Sequence, residues 1–69
     1  MKSKIFDSLC YYAFSSDLAA IRNDLDSLFQ KDGDSIADIR SGAIDIANYY
    51  LDGDDLKACL QDIADICNA

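Results

Sequence analysis

The chain has 69 residues, of which 51% are hydrophobic, and a formal net charge of −7 at pH 7. A chain of this length forms one small domain, residues 1–69, with no room for an enclosed active site of ordinary size. All thirteen acidic residues are aspartates. Because so acidic a domain repels phosphates, we expect no direct binding to nucleic acid or to anionic membranes, and we expect basic proteins or nucleoprotein complexes as partners.

The composition also bears on the fold class. The chain lacks Val, Thr and Pro, so Ile is its only β-branched residue. β-branched residues favour strands, and Pro interrupts helices. The composition therefore predicts an all-α fold.

Apolar residues recur at helical spacing from the start of the chain. A first segment runs from about Ser3 to Phe14, and a second begins at Leu18. The polar residues 15–17 separate them, and Asp17 is suited to cap the second helix.

Two similar stretches mark the later helix boundaries, KDGDSI at residues 31–36 and LDGDDL at residues 51–56. We expect Gly33 to end the second helix in the left-handed conformation and Gly53 to end the third, with Asp34 and Asp54 capping the helices that follow. Connections this short favour antiparallel neighbours, so the sequence predicts a compact four-helix domain with short connections. The predicted core residues are Ile5, Phe6, Leu9, Ala13, Leu18, Ile21, Leu25, Leu28, Phe29, Ile36, Ile39, Ala43, Ile46, Tyr50, Leu56, Cys59, Leu60, Ile63 and Cys67.

The three cysteines, Cys10, Cys59 and Cys67, all occupy apolar-face positions. Their number is odd, and Cys59 and Cys67 lie roughly 12 Å apart along one predicted helix, which is too far for a disulfide. We therefore expect buried free thiols in a reducing cytoplasm. No apolar run has transmembrane or signal-peptide length, so we expect a cytoplasmic protein.

The DGD motifs raise the question of calcium. An EF-hand needs an oxygen ligand at its fifth position and a Glu at its twelfth, but Ile36 and Leu56 fall at the fifth position and the chain has no Glu. The chain also has no His, which removes the commonest zinc ligand and the usual base near neutral pH. We expect no metal, no cofactor and no catalysis.

Aspartates at seven-residue spacing form ridges away from the apolar faces. Asp38, Asp45 and Asp52 fall within about 40° of one another around the third helix. Asp is a poorer helix former than Glu, so its use at mid-helix positions favours a charged surface for a basic partner, although a purely solvated face would show the same pattern. The candidate partner-binding residues are Asp38, Asp45, Asp52, Asp55, Asp62 and Asp65, with Tyr49 and Tyr11 as aromatic anchors.

In its size, its charge and its lack of catalytic or metal-binding motifs, the chain resembles the phage-encoded inhibitors of bacterial defence, including the anti-CRISPR proteins. Some of those proteins resemble DNA in charge and block nucleic-acid sites on their targets. The resemblance implies a stoichiometric inhibitor whose acidic face occupies a basic nucleic-acid-binding site on a bacterial defence complex.

Two other hypotheses remain open. The stretch DGDSIADI at residues 32–39 resembles the acyl-carrier-protein signature, which implies a phosphopantetheine arm on Ser35; the alternative is that Ser35 is an ordinary residue of the first helical turn. Ile44 and Leu51 lie off the main apolar face of the third helix. They could bury a homodimer interface in an oligomerising structural or antitoxin-like module, or pack within the monomer.

Overall fold

Four helices pack side by side in a ring. The computed structural model describes residues 1–68, with α1 at Lys2–Tyr12, α2 at Leu18–Asp32, α3 at Ile36–Tyr50 and α4 at Gly53–Asn68. Each helix packs against the next along the chain, and α4 packs against α1. Because the connections are short, consecutive helices run antiparallel. The prediction of an all-α four-helix domain is confirmed.

The apolar stripes of all four helices meet inside this ring, as their helical spacing predicts. Most predicted core residues are buried or pack against the buried cluster. Ala47 and Leu51 join the core without having been predicted there. The fully or almost fully buried apolar residues are Ile5, Leu9, Ile21, Leu25, Ile39, Ala43, Ala47, Leu51, Cys59, Ile63 and Cys67.

The connection between α2 and α3 differs from the predicted one. Gly33 has φ −57° and ψ −21°, which is right-handed rather than left-handed. Glycine is needed there for space, because a Cβ atom would collide with the carbonyl oxygen of Phe29. The cap of α3 is Ser35, not Asp34, since the Ser35 Oγ accepts a 3.3 Å hydrogen bond from the Asp38 N–H.

The connection between α3 and α4 also begins earlier than predicted. Helix α3 ends at Tyr50, and Leu51 is extended. Gly53 has the left-handed φ of +57°, but it is the first residue of α4 rather than the end of α3. Asp54 consequently lies inside the first turn of α4 instead of capping it. A carboxylate at that position still interacts favourably with the helix dipole.

Four further predictions about single residues differ from the structure. Ile36 is 56% exposed and is the first residue of α3. Phe14 lies outside α1 and is exposed, and Cys10 is only half-buried, while Cys59 and Cys67 are buried as predicted. Asp17 precedes α2 as predicted but makes no side-chain capping bond.

Ile44 and Leu51 pack within the monomer. Leu51 is 7% exposed and belongs to the core, and Ile44 packs against that core. Leu51 is therefore not available to a homodimer interface. Within residues 1–68, none of the helices combines the length and the apolar character that crossing a bilayer requires.

Candidate interaction surface

An acidic groove runs along the outer side of the α2–α3 packing seam; we call it the α2/α3 groove. Asp24 and Asp32 of α2 and Asp38 and Asp45 of α3 line it, together with Lys31. The two helices run antiparallel about residues 33–35, so Asp24 lies at the level of Asp45, and Asp32 lies at the level of Asp38. The groove therefore has two levels, each with one aspartate from either helix.

Gly42 allows the two helices to approach closely beneath this groove. A Cβ atom at residue 42 would overlap the side chain of Leu28, which occupies the space over the glycine. Glycine inside a helix costs about 1 kcal/mol relative to alanine, so close approach of the helices offsets an intrinsic loss of helix stability. The carboxylates of both helices consequently line one open groove.

The negative charge of this groove is largely uncompensated by the Lys and Arg side chains of the protein. Among residues 1–68 a single ion pair is present, between Lys2 on α1 and Asp26 on α2. Arg22 is occupied differently, with its Cζ 4.5 Å from the centroid of the Phe6 ring. In the described part of the chain, none of the four groove aspartates belongs to an ion pair.

Two tyrosines adjoin the groove at its Asp24 end. The hydroxyl of Tyr50 donates a 2.7 Å hydrogen bond to the Asp24 Oδ2. That hydrogen bond is the largest cause, and burial the second largest, of a rise in the pKa of Tyr50 to about 12. The ring of Tyr49 packs edge-on against Tyr50, with centroids 4.8 Å apart, and Tyr49 is 80% exposed.

A second groove lies on the opposite side of the ring, between α1 and α4; we call it the α1/α4 groove. Its charged lining consists of Lys4, Asp7, Asp62 and Asp65, and Tyr11 also lines it. The Gln61 side-chain amide donates a 3.0 Å hydrogen bond to Asp65 within α4.

A buried polar contact lies beneath the α1/α4 groove. The Oγ of Ser8 is 3.0 Å from the Asp62 Oδ2 and 3.4 Å from the Cys59 Sγ. Burial raises the pKa of the Cys59 thiol, the hydrogen bond with Ser8 opposes this, and the Asp62 charge adds to it. Because Cys59 is protonated and fully buried, it has neither the thiolate nor the exposure of a nucleophile.

The structure divides the predicted partner-binding residues between different surfaces. Asp38 and Asp45 line the α2/α3 groove, whereas Asp62, Asp65 and Tyr11 line the α1/α4 groove. Asp62 is half-buried and bonded to Ser8, so it is not the free ridge residue that the spacing predicted. The remaining candidates are exposed. Tyr49 lies near the end of α3, Asp55 lies in the first turn of α4, and Asp52 lies between the two helices rather than on the ridge of α3 that its spacing predicted.

Sequence reasoning missed Asp32 and Asp7 as members of these grooves. Asp24 and Asp32 are eight residues apart, which places them on one side of α2 after about two turns. That spacing could have indicated a second ridge facing α3. The position of Asp7 four residues before Tyr11 could likewise have indicated that these two residues share one face of α1.

Ser35 is half-buried, and its capping bond to Asp38 explains why a serine stands at this helix start.

Among the described residues, no three Cys or Asp side chains come together in a way that could hold a metal ion. Comparison with models of known families, with curated proteins and with solved structures finds no match to this chain.

Proposed function

We propose that the protein is a non-catalytic inhibitor that binds through its α2/α3 groove to the basic nucleic-acid-binding site of a bacterial defence complex, as some anti-CRISPR proteins do. One observation carries this proposal. Four carboxylates from two helices line one groove, and none of the four belongs to an ion pair with another of the described residues, in a domain with a net charge of −7. Such a groove attracts a positively charged partner and accelerates its association.

The charge density of the groove supports occupancy of a nucleic-acid site. Asp24 to Asp32 spans about 12 Å of helix axis, and the two α3 aspartates lie within that length. Four carboxylates less the charge of Lys31 amount to one negative charge per roughly 4 Å, whereas duplex DNA has one per about 1.7 Å. A single ridge with an aspartate every seventh residue would present only one per roughly 10 Å. Pairing of the two helices therefore brings the linear charge density of the surface to within a factor of about 2.4 of that of duplex DNA.

The chemistry of the groove favours binding over catalysis. The chain has no His to act as a base near neutral pH, and Cys59 lies buried away from the groove. Carboxylates and small hydroxyls at an open surface are suited to recognising cations, including the Arg and Lys side chains of a nucleic-acid site.

Recovery of a target from bacterial lysate, at low and at moderate salt, tests the proposal. We would compare the wild type with an Asp38→Asn/Asp45→Asn variant, which removes one groove carboxylate at each level. The matched control is Asp54→Asn/Asp65→Asn, which changes the net charge equally at two exposed positions outside this groove. Asp62 is left intact because its replacement would disturb the bond to Ser8.

We expect the wild type and the control to recover one nucleic-acid-binding complex, and the groove variant to lose it. Purified complex should then lose DNA or guide engagement when wild-type protein is added in stoichiometric amounts. Equal recovery by the wild type and both variants would contradict a role for the groove. Equal loss in both variants would show that net charge, rather than this surface, governs binding.

A further inference from the structure

The same arrangement of side chains occurs at the ends of α1 and α3. In each helix an aspartate is followed four residues later by an exposed tyrosine and then by a half-buried tyrosine. The exposed ring rests edge-on against the half-buried one in both places, with centroids 4.9 Å apart in α1 and 4.8 Å apart in α3. The two sets are Asp7, Tyr11 and Tyr12, within DSLCYY, and Asp45, Tyr49 and Tyr50, within DIANYY.

Helix geometry brings each exposed tyrosine next to its aspartate. Residues four apart are neighbours on one face of a helix, and long side chains lean back toward the helix N-terminus. We therefore expect the Tyr49 side chain to lean toward Asp45 and the Tyr11 side chain to lean toward Asp7. The exposed rings are 80% and 82% accessible, so one face of each is open to a partner.

The half-buried tyrosines hold these exposed rings in place. Tyr50 is fixed by its hydrogen bond to Asp24, and Tyr12 packs against the buried core. An aromatic ring that is already held against a fixed neighbour loses little conformational freedom when a partner covers it.

We propose that each of these two Asp–Tyr pairs binds an arginine side chain of the basic partner. The guanidinium plane covers the exposed tyrosine ring, and its N–H groups donate to the aspartate one turn earlier. This inference rests on the proposed function and adds the residue type that the surface selects. A planar guanidinium can stack on the tyrosine ring and donate two hydrogen bonds to the carboxylate at the same time. A lysine ammonium is a compact point charge and cannot do both.

The domain itself contains an example of the stacking half of this interaction. The Arg22 Cζ lies 4.5 Å from the centroid of the Phe6 ring. The two Asp–Tyr pairs supply what that contact lacks, an open ring with a carboxylate beside it.

The fold brings both pairs to the same end of the ring. Helices α1 and α3 are each antiparallel to α2, so their C-terminal ends lie at the same end of the bundle, on diagonally opposite helices. Asp45 lines the α2/α3 groove, while Asp7 and Tyr11 line the α1/α4 groove on the opposite side. Because the two pairs open on opposite sides of the domain, each binds its arginine independently, and the Asp45–Tyr49 pair is the one beside the α2/α3 groove.

Titration with oligo-arginine and oligo-lysine peptides of equal length, at low salt, tests the inference without knowledge of the target. We would compare the wild type with a Tyr11→Leu/Tyr49→Leu variant, which keeps apolar bulk but removes both rings. A Tyr11→Phe/Tyr49→Phe variant keeps the rings and serves as the control. The substituted side chains are exposed, and circular dichroism confirms that each variant is folded.

We expect the wild type to prefer oligo-arginine, by about two- to five-fold for each ring. The Leu variant should lose that preference while still binding both peptides through charge, and the Phe variant should keep it. Equal affinity of the wild type for both peptides, or an unchanged preference in the Leu variant, would overturn the arginine sites and leave the proposed function standing. If neither peptide bound in a salt-dependent way, both the arginine sites and the proposed function would fail.

Discussion

The hydroxyl of Tyr50 and the carboxylate of Asp24 are joined by a 2.7 Å hydrogen bond that ties α3 to α2 beside the α2/α3 groove. This bond and partial burial raise the pKa of Tyr50 from 10.0 to about 12. The folded state thus favours the protonated hydroxyl. The contribution of this hydrogen bond to the stability of the folded state is complete below about pH 10 and is lost as the pH rises from about 10 to about 12.

We predict that Tyr50 is the last tyrosine to ionise. An ultraviolet titration of the wild type should show a tyrosinate step near pH 12, which Tyr50→Phe removes and the control Tyr49→Phe retains. Asp24→Asn should move the step to lower pH, because the amide can still accept a hydrogen bond but lacks the negative charge. Persistence of the step in Tyr50→Phe would show that another tyrosine carries it.

A second prediction concerns Ser8, which is 8% exposed and lies between Asp62 and Cys59. Ser8→Ala removes the hydroxyl that bonds the half-buried Asp62, and it should lower the free energy of unfolding by about 1 kcal/mol in urea denaturation. Ser3→Ala, an exposed position on the same helix, should have little effect. Asp62→Asn should cost less in the Ser8→Ala background than in the wild type, because the contact has already been lost. Simple additivity of the two changes would contradict a shared interaction.

The contact between Gly42 and Leu28 leads to a third prediction. In the wild type, Gly42→Ala should be neutral or destabilising, since the added methyl overlaps Leu28. In a Leu28→Ala background the same change should stabilise the domain by up to about 1 kcal/mol, through the better helix propensity of alanine. Thermal or urea unfolding of the four proteins measures this difference. An equal effect of Gly42→Ala in both backgrounds would show that Leu28 does not limit the approach of the helices.

Ser35 provides a fourth prediction, which also decides between inhibitor and carrier protein. Ser35→Ala should lower the free energy of unfolding by about 1 kcal/mol, while Ser35→Asn should retain most of the wild-type stability, because the amide oxygen can also accept the Asp38 N–H bond.

After co-expression with a phosphopantetheinyl transferase, we expect the intact mass of the wild type to be unchanged. A mass gain of one phosphopantetheine arm in the wild type, absent from Ser35→Ala, would instead support the carrier hypothesis.

The sequence by itself determined four helices and most of their inward faces. The spacing of residues such as Ile21, Leu25, Ile39 and Ile63 is a local property of one helix, and apolar side chains at that spacing must be covered by another element. Where two neighbouring residues could each cap a helix, the sequence did not show which of them does so. Asp34 and Ser35 are both good caps, and only the path of the chain after Gly33 placed Ser35 where it could accept the Asp38 N–H bond.

The tertiary structure alone decided which charges share a surface. A seven-residue spacing shows that Asp38 and Asp45 lie on one side of α3, but not which helix lies beside that side. Packing of α2 against α3 over Gly42 brought Asp24 and Asp32 to the same groove, and packing of α1 against α4 placed Asp62 on Ser8 instead. Helical periodicity orients side chains about their own axis, whereas the grouping of side chains from different helices depends on how the whole set of apolar faces packs together.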